Sequence, residues 1–275
     1  MSGYRLAAVD MDGTLLRSDK SLDPDTIRDV EAASRQGIQV VYSTGRAVRE
    51  LEAYVRQLPC MRYAVALSGA LVYDFQERRS VLCRAMPGEY IGEIVRTAAR
   101  YDAMAHLLSE DESIVRIDQV SHMEDFHMEI YQPMFLELTR KVEDMAAEAR
   151  RYEAIPKVNV YFRSASDRKK GYEALKHLPL SFAFAEGASL EMNAAGVTKA
   201  SGLRDLTEHL GISMAETMGI GDADNDRAML ETVGLSVAMG NGAEDIKALC
   251  DAVTDDNDHN GVGKAIRKYC LKESI

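Results

Sequence analysis

Three short apolar runs in this chain each end in a cluster of carboxylates, hydroxyls and glycines. The runs and the clusters that follow them are Tyr4–Val9 with Asp10–Thr14, Ile38–Tyr42 with Ser43–Arg46, and Met218–Ile220 with Gly221–Asp226. Short apolar runs that stop at turn-forming residues predict buried β-strands. Because open parallel sheets bind ligands beyond the carboxyl ends of their strands, the three clusters are candidates for one shared site.

The segments between these runs predict helices that alternate with the strands. Asp25–Gln36 has apolar residues at helical spacing and is followed by Gly37, and a second helical pattern runs to Leu58. Alternation of strand and helix is typical of a parallel sheet with helices on its faces. The sequence therefore predicts an α/β fold with a Rossmann-like parallel-sheet core, formed by residues 1–85 and 187–275.

The pattern changes between residues 86 and 186. Here Pro87–Tyr101 and Pro133–Arg150 predict helices, and Lys157–Arg163 alternates apolar and polar residues as a strand with one apolar face does. A sheet with one apolar face is usually covered by helices on that side only. We therefore expect residues 86–186 to form a separate α+β domain inserted into the parallel-sheet core.

The charge of the chain and its cysteines argue against several classes of protein. The chain has 33 Lys and Arg against 44 Asp and Glu, a net charge of -11, so that it repels nucleic acid and anionic membranes. No apolar stretch reaches the ~18 residues that a membrane span needs, and the run before Asp10 is too short for a signal peptide. None of the four cysteines stands in a C-x-x-C pair, which argues against a zinc or redox motif. We expect a cytoplasmic protein with reduced thiols, and nothing in the sequence specifies an oligomeric state.

The polar clusters provide groups that suit a metal ion and a phosphate. Carboxylates after the first and third apolar runs form a hard-oxygen set that suits Mg²⁺, which usually binds one or two protein carboxylates, waters and substrate phosphate. The hydroxyls and main-chain amides of the second cluster suit phosphate oxygens. So does Lys199, which begins a predicted helix after Gly196-Val197-Thr198.

Four of these segments, in this order, resemble the four motifs of the haloacid dehalogenase-like hydrolases. They are Asp10-Met11-Asp12-Gly13-Thr14-Leu15, Ser43-Thr44-Gly45-Arg46, Lys199, and Gly221-Asp222-Ala223-Asp224-Asn225-Asp226. The stretch Met239–Ala243, together with Asn257 and Gly261-Val262, also resembles the Cof-type subgroup, subfamily IIB. The resemblance implies that the insert, which lies between the second and third motifs, is a C2B-type cap that sets substrate specificity.

The resemblance also implies a role for each residue of the motifs. Asp10 would be the nucleophile that forms an aspartyl-phosphate, and Asp12 would be the general acid and then the general base. Mg²⁺ would be held by Asp10, by the main-chain carbonyl of Asp12 and by Asp222. The phosphoryl group would be bound by Thr44, Gly45 and Lys199, with Asn225 and Asp226 orienting metal-bound water or the lysine. Arg46 either reaches the substrate or pairs with a structural acid.

These roles imply a Mg²⁺-dependent phosphatase that acts on a small-molecule phosphate monoester. A sugar phosphate, a phosphorylated vitamin and a nucleotide-derived monophosphate are all compatible, and Ser68 stands where the subgroup often has an asparagine near the substrate. A phosphomutase would use the same aspartyl-phosphate, and the four motifs do not distinguish the two. The alternative from another class is a non-catalytic regulatory protein that binds Mg²⁺ and a phosphorylated ligand. Such a protein is expected to lack Asp10, Asp12 or Lys199, and all three are present.

Overall fold

The computed structural model describes residues 3–185 and 187–271, and this part of the chain divides into two compact units. The first unit consists of the described residues of Met1–Arg46, Leu51–Leu82 and Thr198–Ile275, and the second of Ala47–Glu50 and Cys83–Val197. The domain boundaries predicted from the sequence, at residues 86 and 186, stay a prediction.

The strands and helices follow one another closely along the chain. In chain order the strands are β1 (Leu6–Val9), β2 (Gln39–Ser43), β3 (Tyr63–Ala66), β4 (Leu71–Asp74), β5 (Arg79–Cys83), β6 (Met86–Pro87), β7 (Met104–Leu108), β8 (Ser113–Arg116), β9 (Arg140–Val142), β10 (Ala154–Ile155), β11 (Lys157–Tyr161), β12 (Leu180–Phe184), β13 (Ser189–Ala194), β14 (Thr217–Gly221), β15 (Leu235–Ala238) and β16 (Ala252–Val253). The α-helices are α1 (Pro24–Arg35), α2 (Val48–Val55), α3 (Gly88–Arg100), α4 (Ile117–Val120), α5 (Gln132–Leu138), α6 (Met145–Ala149), α7 (Ala165–Leu175), α8 (Lys199–Leu210), α9 (Arg227–Leu230), α10 (Glu244–Leu249) and α11 (Gly261–Ala265).

The first unit is built on an eight-stranded sheet. Its order is β16-β15-β14-β1-β2-β3-β4-β5, and the pairs from β16 to β3 are parallel, whereas β3 and β4 are antiparallel. This confirms the predicted α/β, Rossmann-like fold. From β1 the chain passes to β2 and β3 on one side, and it later returns to β14, β15 and β16 on the other. The strand order thus reverses between β1 and β14, which is where open α/β sheets bind their ligands.

The central strands are buried on both faces of the sheet. All four residues of β1, Leu6–Val9, are fully buried, which explains why the strand reads as an uninterrupted apolar run. On one face Leu6 and Val65 belong to a hydrophobic cluster with Leu203 and Leu206 of α8. This packing anchors β1 and α8 in one core.

The second unit contains a six-stranded sheet in the order β12-β13-β11-β7-β8-β9, together with a two-stranded ribbon of β6 and β10. Its pairs are antiparallel except for β8 with β9. Val158 and Val160 of β11 are buried in a cluster that includes Ile94 of α3 and Leu175 of α7. The alternation in β11 therefore predicted this apolar face correctly, and the unit has the predicted α+β character. The expectation of helices on that side only is wrong, because Tyr161, on the other face of β11, is buried in a second cluster with Phe135 of α5.

One predicted element of the second unit is wrong. The sequence predicts a helix over Pro133–Arg150, but α5 ends at Leu138 and a new helix, α6, begins at Met145. Between them β9 pairs in parallel with β8, and the Asp144 side chain accepts a hydrogen bond from the amide of Ala147 to begin α6. Pairing with a neighbouring strand outweighs the helical pattern here.

None of the helices in residues 3–185 and 187–271 is long and apolar enough to cross a membrane. All four cysteines are free thiols: Cys270 is buried, and the other three are partly exposed.

Candidate active site

Strands β1 and β14 bring carboxylates together at the point where the strand order reverses. Asp10 follows β1 directly, and its amide donates to the carbonyl of Ile220 in β14 at 3.0 Å. Asp222 follows β14, and the fourth motif continues to Asp226. Carboxylate oxygens of Asp10, Asp222 and Asp226 all lie within 4.8 Å of one another. The predicted convergence of the first and fourth motifs is therefore present in the structure.

Lys199 connects two of these carboxylates. Its Nζ donates to Asp10 Oδ1 at 2.5 Å and to Asp226 Oδ1 at 2.6 Å, and its side chain is fully buried. Lys199 is the first residue of α8, where the side chains of Thr198 and Ser201 each accept a hydrogen bond from the other's amide. This capping box fixes where the helix begins and hence the backbone position from which the Lys199 side chain extends.

The electrostatics of this cluster are dominated by burial and by its excess of negative charge. Burial raises the pKa of Asp10 well above its usual value, and the charges of Asp226 and Asp222 add to that effect, whereas Lys199 opposes it. For Lys199 burial acts to lower the pKa, but Asp10 and Asp226 outweigh it and raise the pKa above its ordinary value. One ammonium thus faces three carboxylates, and a cation would relieve the repulsion among them.

The donor set of this cluster fits Mg²⁺. Its carboxylate oxygens are the hard ligands that this ion prefers. Within the described residues, Asn225 Oδ1 is a further buried oxygen that has no hydrogen-bond partner. Asp226 Oδ2 accepts from the amides of Asp222 and Ala223 at 3.0 and 3.2 Å, so that Asp226 also holds the loop that carries Asp222. Asp226 is therefore a member of the carboxylate cluster and also supports the loop that carries Asp222.

Asp12 has a different set of partners. Arg46 donates from Nε to Asp12 Oδ2 and from Nη2 to Oδ1, both at 2.7 Å, and Lys20 Nζ donates to Oδ1 at 2.9 Å. Burial opposes ionisation of Asp12, but the hydrogen bonds and charges of Arg46 and Lys20 outweigh it and lower the pKa of this carboxyl. Arg46 thus pairs with an acid, one that the motifs identify as a catalytic residue. The predicted coordination of Mg²⁺ by the Asp12 main-chain carbonyl stays a prediction.

Lys20 is a contributor to this site that the sequence did not reveal. It lies in a tight loop with a positive φ of 65°. Its carbonyl accepts a hydrogen bond from Tyr54 Oη at 3.2 Å, and the Tyr54 ring lies 5.5 Å from the guanidinium carbon of Arg46. Tyr54 therefore supports both cations that bind Asp12. No motif or spacing in the sequence marks Lys20 or Tyr54.

The second motif forms a tight turn at the end of β2. The amide of Thr44 donates to the carbonyl of Val65 at 2.8 Å, and Thr44 Oγ1 accepts from the amide of Arg46 at 3.2 Å, with Gly45 between them. The amide of Ser68 donates to the carbonyl of Thr44 at 2.9 Å. The structure thus brings Ser68 beside the predicted phosphate-binding turn. The phosphate-binding roles of Thr44, Gly45 and Asn225 stay predictions.

Comparison with known proteins gives a consistent result. A family model described as haloacid dehalogenase-like hydrolase matches residues 7–266. An HMP-PP phosphatase of Serratia proteamaculans is 29% identical over 259 residues, covering 90% of this chain and 87% of the relative. A 5-amino-6-(5-phospho-D-ribitylamino)uracil phosphatase of Bacillus subtilis is 26% identical over 270 residues, covering 97% of this chain and 96% of the relative. The solved structure of a haloacid dehalogenase-like hydrolase from B. subtilis superposes with a TM-score of 0.85 at 24% identity, covering 96% of this chain and 99% of the other, and so has the same fold.

Proposed function

Because this chain belongs to the haloacid dehalogenase-like hydrolases and is a phosphatase of their Cof-type subgroup, we propose that it hydrolyses a small-molecule phosphate monoester with the help of Mg²⁺. The observation that carries this proposal is the buried cluster of Lys199 with Asp10 and Asp226, to which Asp222 contributes a third carboxylate. This cluster provides a nucleophile, a cation and a metal-binding donor set at one place.

In the first proposed step a carboxylate oxygen of Asp10 attacks phosphorus. The bond from phosphorus to the leaving oxygen breaks, and an aspartyl-phosphate forms. Asp12 gives a proton to the leaving oxygen, which departs as an alcohol. For this Asp12 must first take up a proton from solvent, and that requires Arg46 to turn from Asp12 to the phosphate oxygens. Arg46 suits both partners because a guanidinium binds carboxylate and phosphate with the same paired donors.

In the second proposed step a water molecule attacks phosphorus from the side opposite Asp10. Asp12, now a carboxylate, takes a proton from that water, and the bond from phosphorus to the Asp10 oxygen breaks. Phosphate is released, and Asp10 is again a carboxylate. Asp12 is left protonated, and it loses that proton to solvent when Arg46 returns to it. The contact of Asp12 with Lys20 keeps the carboxyl ionised, which is the form that accepts a proton.

Asp10, Asp222 and Asp226 would hold the ion, with the main-chain carbonyl of Asp12 as a proposed further ligand. When bound, Mg²⁺ supplies positive charge that lets an anionic carboxylate approach an anionic phosphate. Lys199 supplies the protein's own share of that charge. We further propose that the partner is a small phosphorylated metabolite, that nucleic acid is not bound, and that the protein works in the cytoplasm, where its free thiols stay reduced.

The test is phosphate release from a panel of sugar, vitamin and nucleotide-derived phosphate monoesters, with Mg²⁺ and with a chelator. We expect release that depends on Mg²⁺ and that falls by at least about 10³-fold in Asp10→Asn, because this substitution removes the nucleophile and changes little volume. Asp224→Asn is the matched control, since Asp224 is a nearby exposed acid that pairs with Arg227. Near-normal release by Asp10→Asn would contradict the covalent mechanism. Transfer of phosphate between positions of a sugar, without release, would indicate a mutase.

A further inference from the structure

The loop after β15 contacts both loops that carry the candidate metal ligands. Asn241 Nδ2 donates to the carbonyl of Gly13, in the first motif, at 2.8 Å. Two residues later, the amide of Ala243 donates to the carbonyl of Asp222 at 3.0 Å. This short loop therefore connects the turn after Asp10 with the backbone of Asp222.

Asn257, from the loop after β16, holds Asn241 in place. The main-chain amide of Asn257 donates to Asn241 Oδ1 at 3.1 Å, and its side-chain Nδ2 donates to the carbonyl of Leu16 at 2.9 Å. The turn after the nucleophile is thus bound at Gly13 by one asparagine and at Leu16 by the other. We call Asn241 and Asn257 the amide pair. Both belong to the segments that resemble the Cof-type subgroup, and the proposed reaction gives neither a role.

The bound turn lies directly on the Asp222 side chain. Gly13 has a φ of +79°, and a Cβ there would lie 2.5 Å from Asp222 Oδ2, so only glycine permits this approach. The next residue, Thr14, donates from Oγ1 to Asp222 Oδ1 at 2.8 Å. The position of the Asp222 carboxylate therefore depends on where the turn lies, and the amide pair fixes the turn.

We propose that Asn241, held by Asn257, is a positioning residue that sets the affinity of the site for a divalent cation. This inference rests on the proposed function, because it takes Asp10 and Asp222 as ligands of one ion. Asp10 and Asp222 come from different loops, and the hydrogen bonds of the amide pair keep one loop in register with the other. Removal of the Asn241 amide frees the turn and, through Thr14, the Asp222 carboxylate. Loss of such outer partners typically weakens metal binding 10- to 100-fold.

The test measures binding of Mn²⁺ to the full chain by electron paramagnetic resonance, which does not depend on turnover. We expect Asn241→Ala to bind Mn²⁺ about tenfold more weakly than the unmodified chain. Asn241→Asp keeps the oxygen that accepts from Asn257 but lacks the donor to Gly13, so it should bind as weakly as the alanine variant. Asn257→Ala should weaken binding by a smaller factor, because it removes only the bond to Leu16, while the main-chain amide of residue 257 still donates to Asn241.

Gln57→Ala is the matched control. Gln57 is another side-chain amide that donates to a main-chain carbonyl, that of Ala53 at 3.1 Å, and both contacts are exposed. It should leave Mn²⁺ binding unchanged. Equal weakening by the control, or binding by Asn241→Ala within about twofold of the unmodified chain, would overturn this inference and leave the proposed function standing. If Asp222→Asn binds Mn²⁺ as well as the unmodified chain does, the ion lies elsewhere, and both proposals are wrong.

Discussion

At the scale of single residues, two buried basic side chains show how burial and neighbours together decide charge. Lys199 stays charged because Asp10 and Asp226 lie within hydrogen-bonding distance of its ammonium. Among the residues that the structure describes, no carboxylate pairs with His106 of β7 in this way: burial, with a smaller effect from the charge of Lys157, lowers the pKa of His106 to about 3. Its Nδ1 lies 3.2 Å from Tyr161 Oη, and its Nε2 contacts Ser113 Oγ. His106 is therefore neutral in the folded protein.

The neutral imidazole predicts a loss of stability in mild acid. Below about pH 6.5 the unfolded chain binds a proton at His106 that the folded chain does not, so the free energy of unfolding falls as the pH falls. With a folded-state pKa of about 3, we expect a loss of about 2 kcal/mol between pH 7.5 and pH 5 from this group. Urea unfolding of the unmodified chain and of His106→Gln at both pH values measures it.

His106→Gln is the comparison because glutamine can keep a hydrogen bond without titrating. The carboxyls with lowered pKa values, such as Asp12, add no difference in this window, because their contribution to stability is lost only below about pH 4. An equal loss of stability in both proteins would show that His106 is not the group responsible.

At the scale of elements, the start of α8 depends on a turn from another part of the first unit. The 3₁₀ turn Leu67–Gly69 follows β3, and a Cβ at Gly69 would lie 1.9 Å from the carbonyl oxygen of Thr198. Gly69 also has a φ of +98°. Only glycine lets the turn approach the first turn of α8 so closely, and that turn of the helix carries Lys199.

Gly69→Ala should therefore displace the start of α8 and impair catalysis. Gly37→Ala is a matched control, because Gly37 also has a positive φ, +82°, but no atom of the described residues lies within 4 Å of its Cβ position. We expect Gly37→Ala to cost about 1 kcal/mol of stability from backbone strain alone. Gly69→Ala should cost at least about 2 kcal/mol more and lower phosphate release at least tenfold. Urea unfolding and the phosphate-release assay measure both effects, and similar results for the two variants would refute this role of Gly69.

The elements that the sequence predicted are those whose signals are local. The sequence predicts α1 over Asp25–Gln36, and the structure has it at Pro24–Arg35; its apolar spacing lies within the segment, and the cap Asp23 and the stop Gly37 lie next to it in the sequence. β9 was missed because its three residues form a strand only through pairing with β8. The site residues show the same difference between local and non-local signals. The motifs indicated Asp10, Asp222 and Lys199, whereas Lys20 reaches Asp12 through the path of its loop, which depends on Tyr54.

At the scale of the whole molecule, each unit has a hydrophobic core of its own. In the second unit the core includes Phe162, whose ring lies against Gly171 of α7, and in the first it includes Leu203 of α8. The two clusters have no residue in common. A substitution that disrupts one core should therefore first lower the local stability of the unit that contains it.

Phe162→Ala should loosen the second unit selectively. We expect a loss of about 3–5 kcal/mol, the usual cost of deleting a buried phenylalanine ring, and faster amide hydrogen exchange in β7, β11 and β13. Exchange in β1 and β14 should stay slow. Leu203→Ala, which removes a fully buried leucine from the other core, should give the reverse pattern. Hydrogen exchange read by mass spectrometry distinguishes these outcomes, and uniform acceleration across both units in either variant would contradict separate cores.

The reversal of strand order between β1 and β14 also affects how the protein folds while it is being synthesised on the ribosome. β1 pairs on one side with β14, which is made about 200 residues later. At translation rates of roughly 5–20 residues per second, the Asp10 end of β1 waits on the order of ten seconds or more for that neighbour. The six strands of the second sheet all lie between Met104 and Ala194, so they emerge together during the wait. The inserted unit can thus fold first, and the cluster of Lys199 with Asp10, Asp222 and Asp226 is completed only when the last third of the chain has been made.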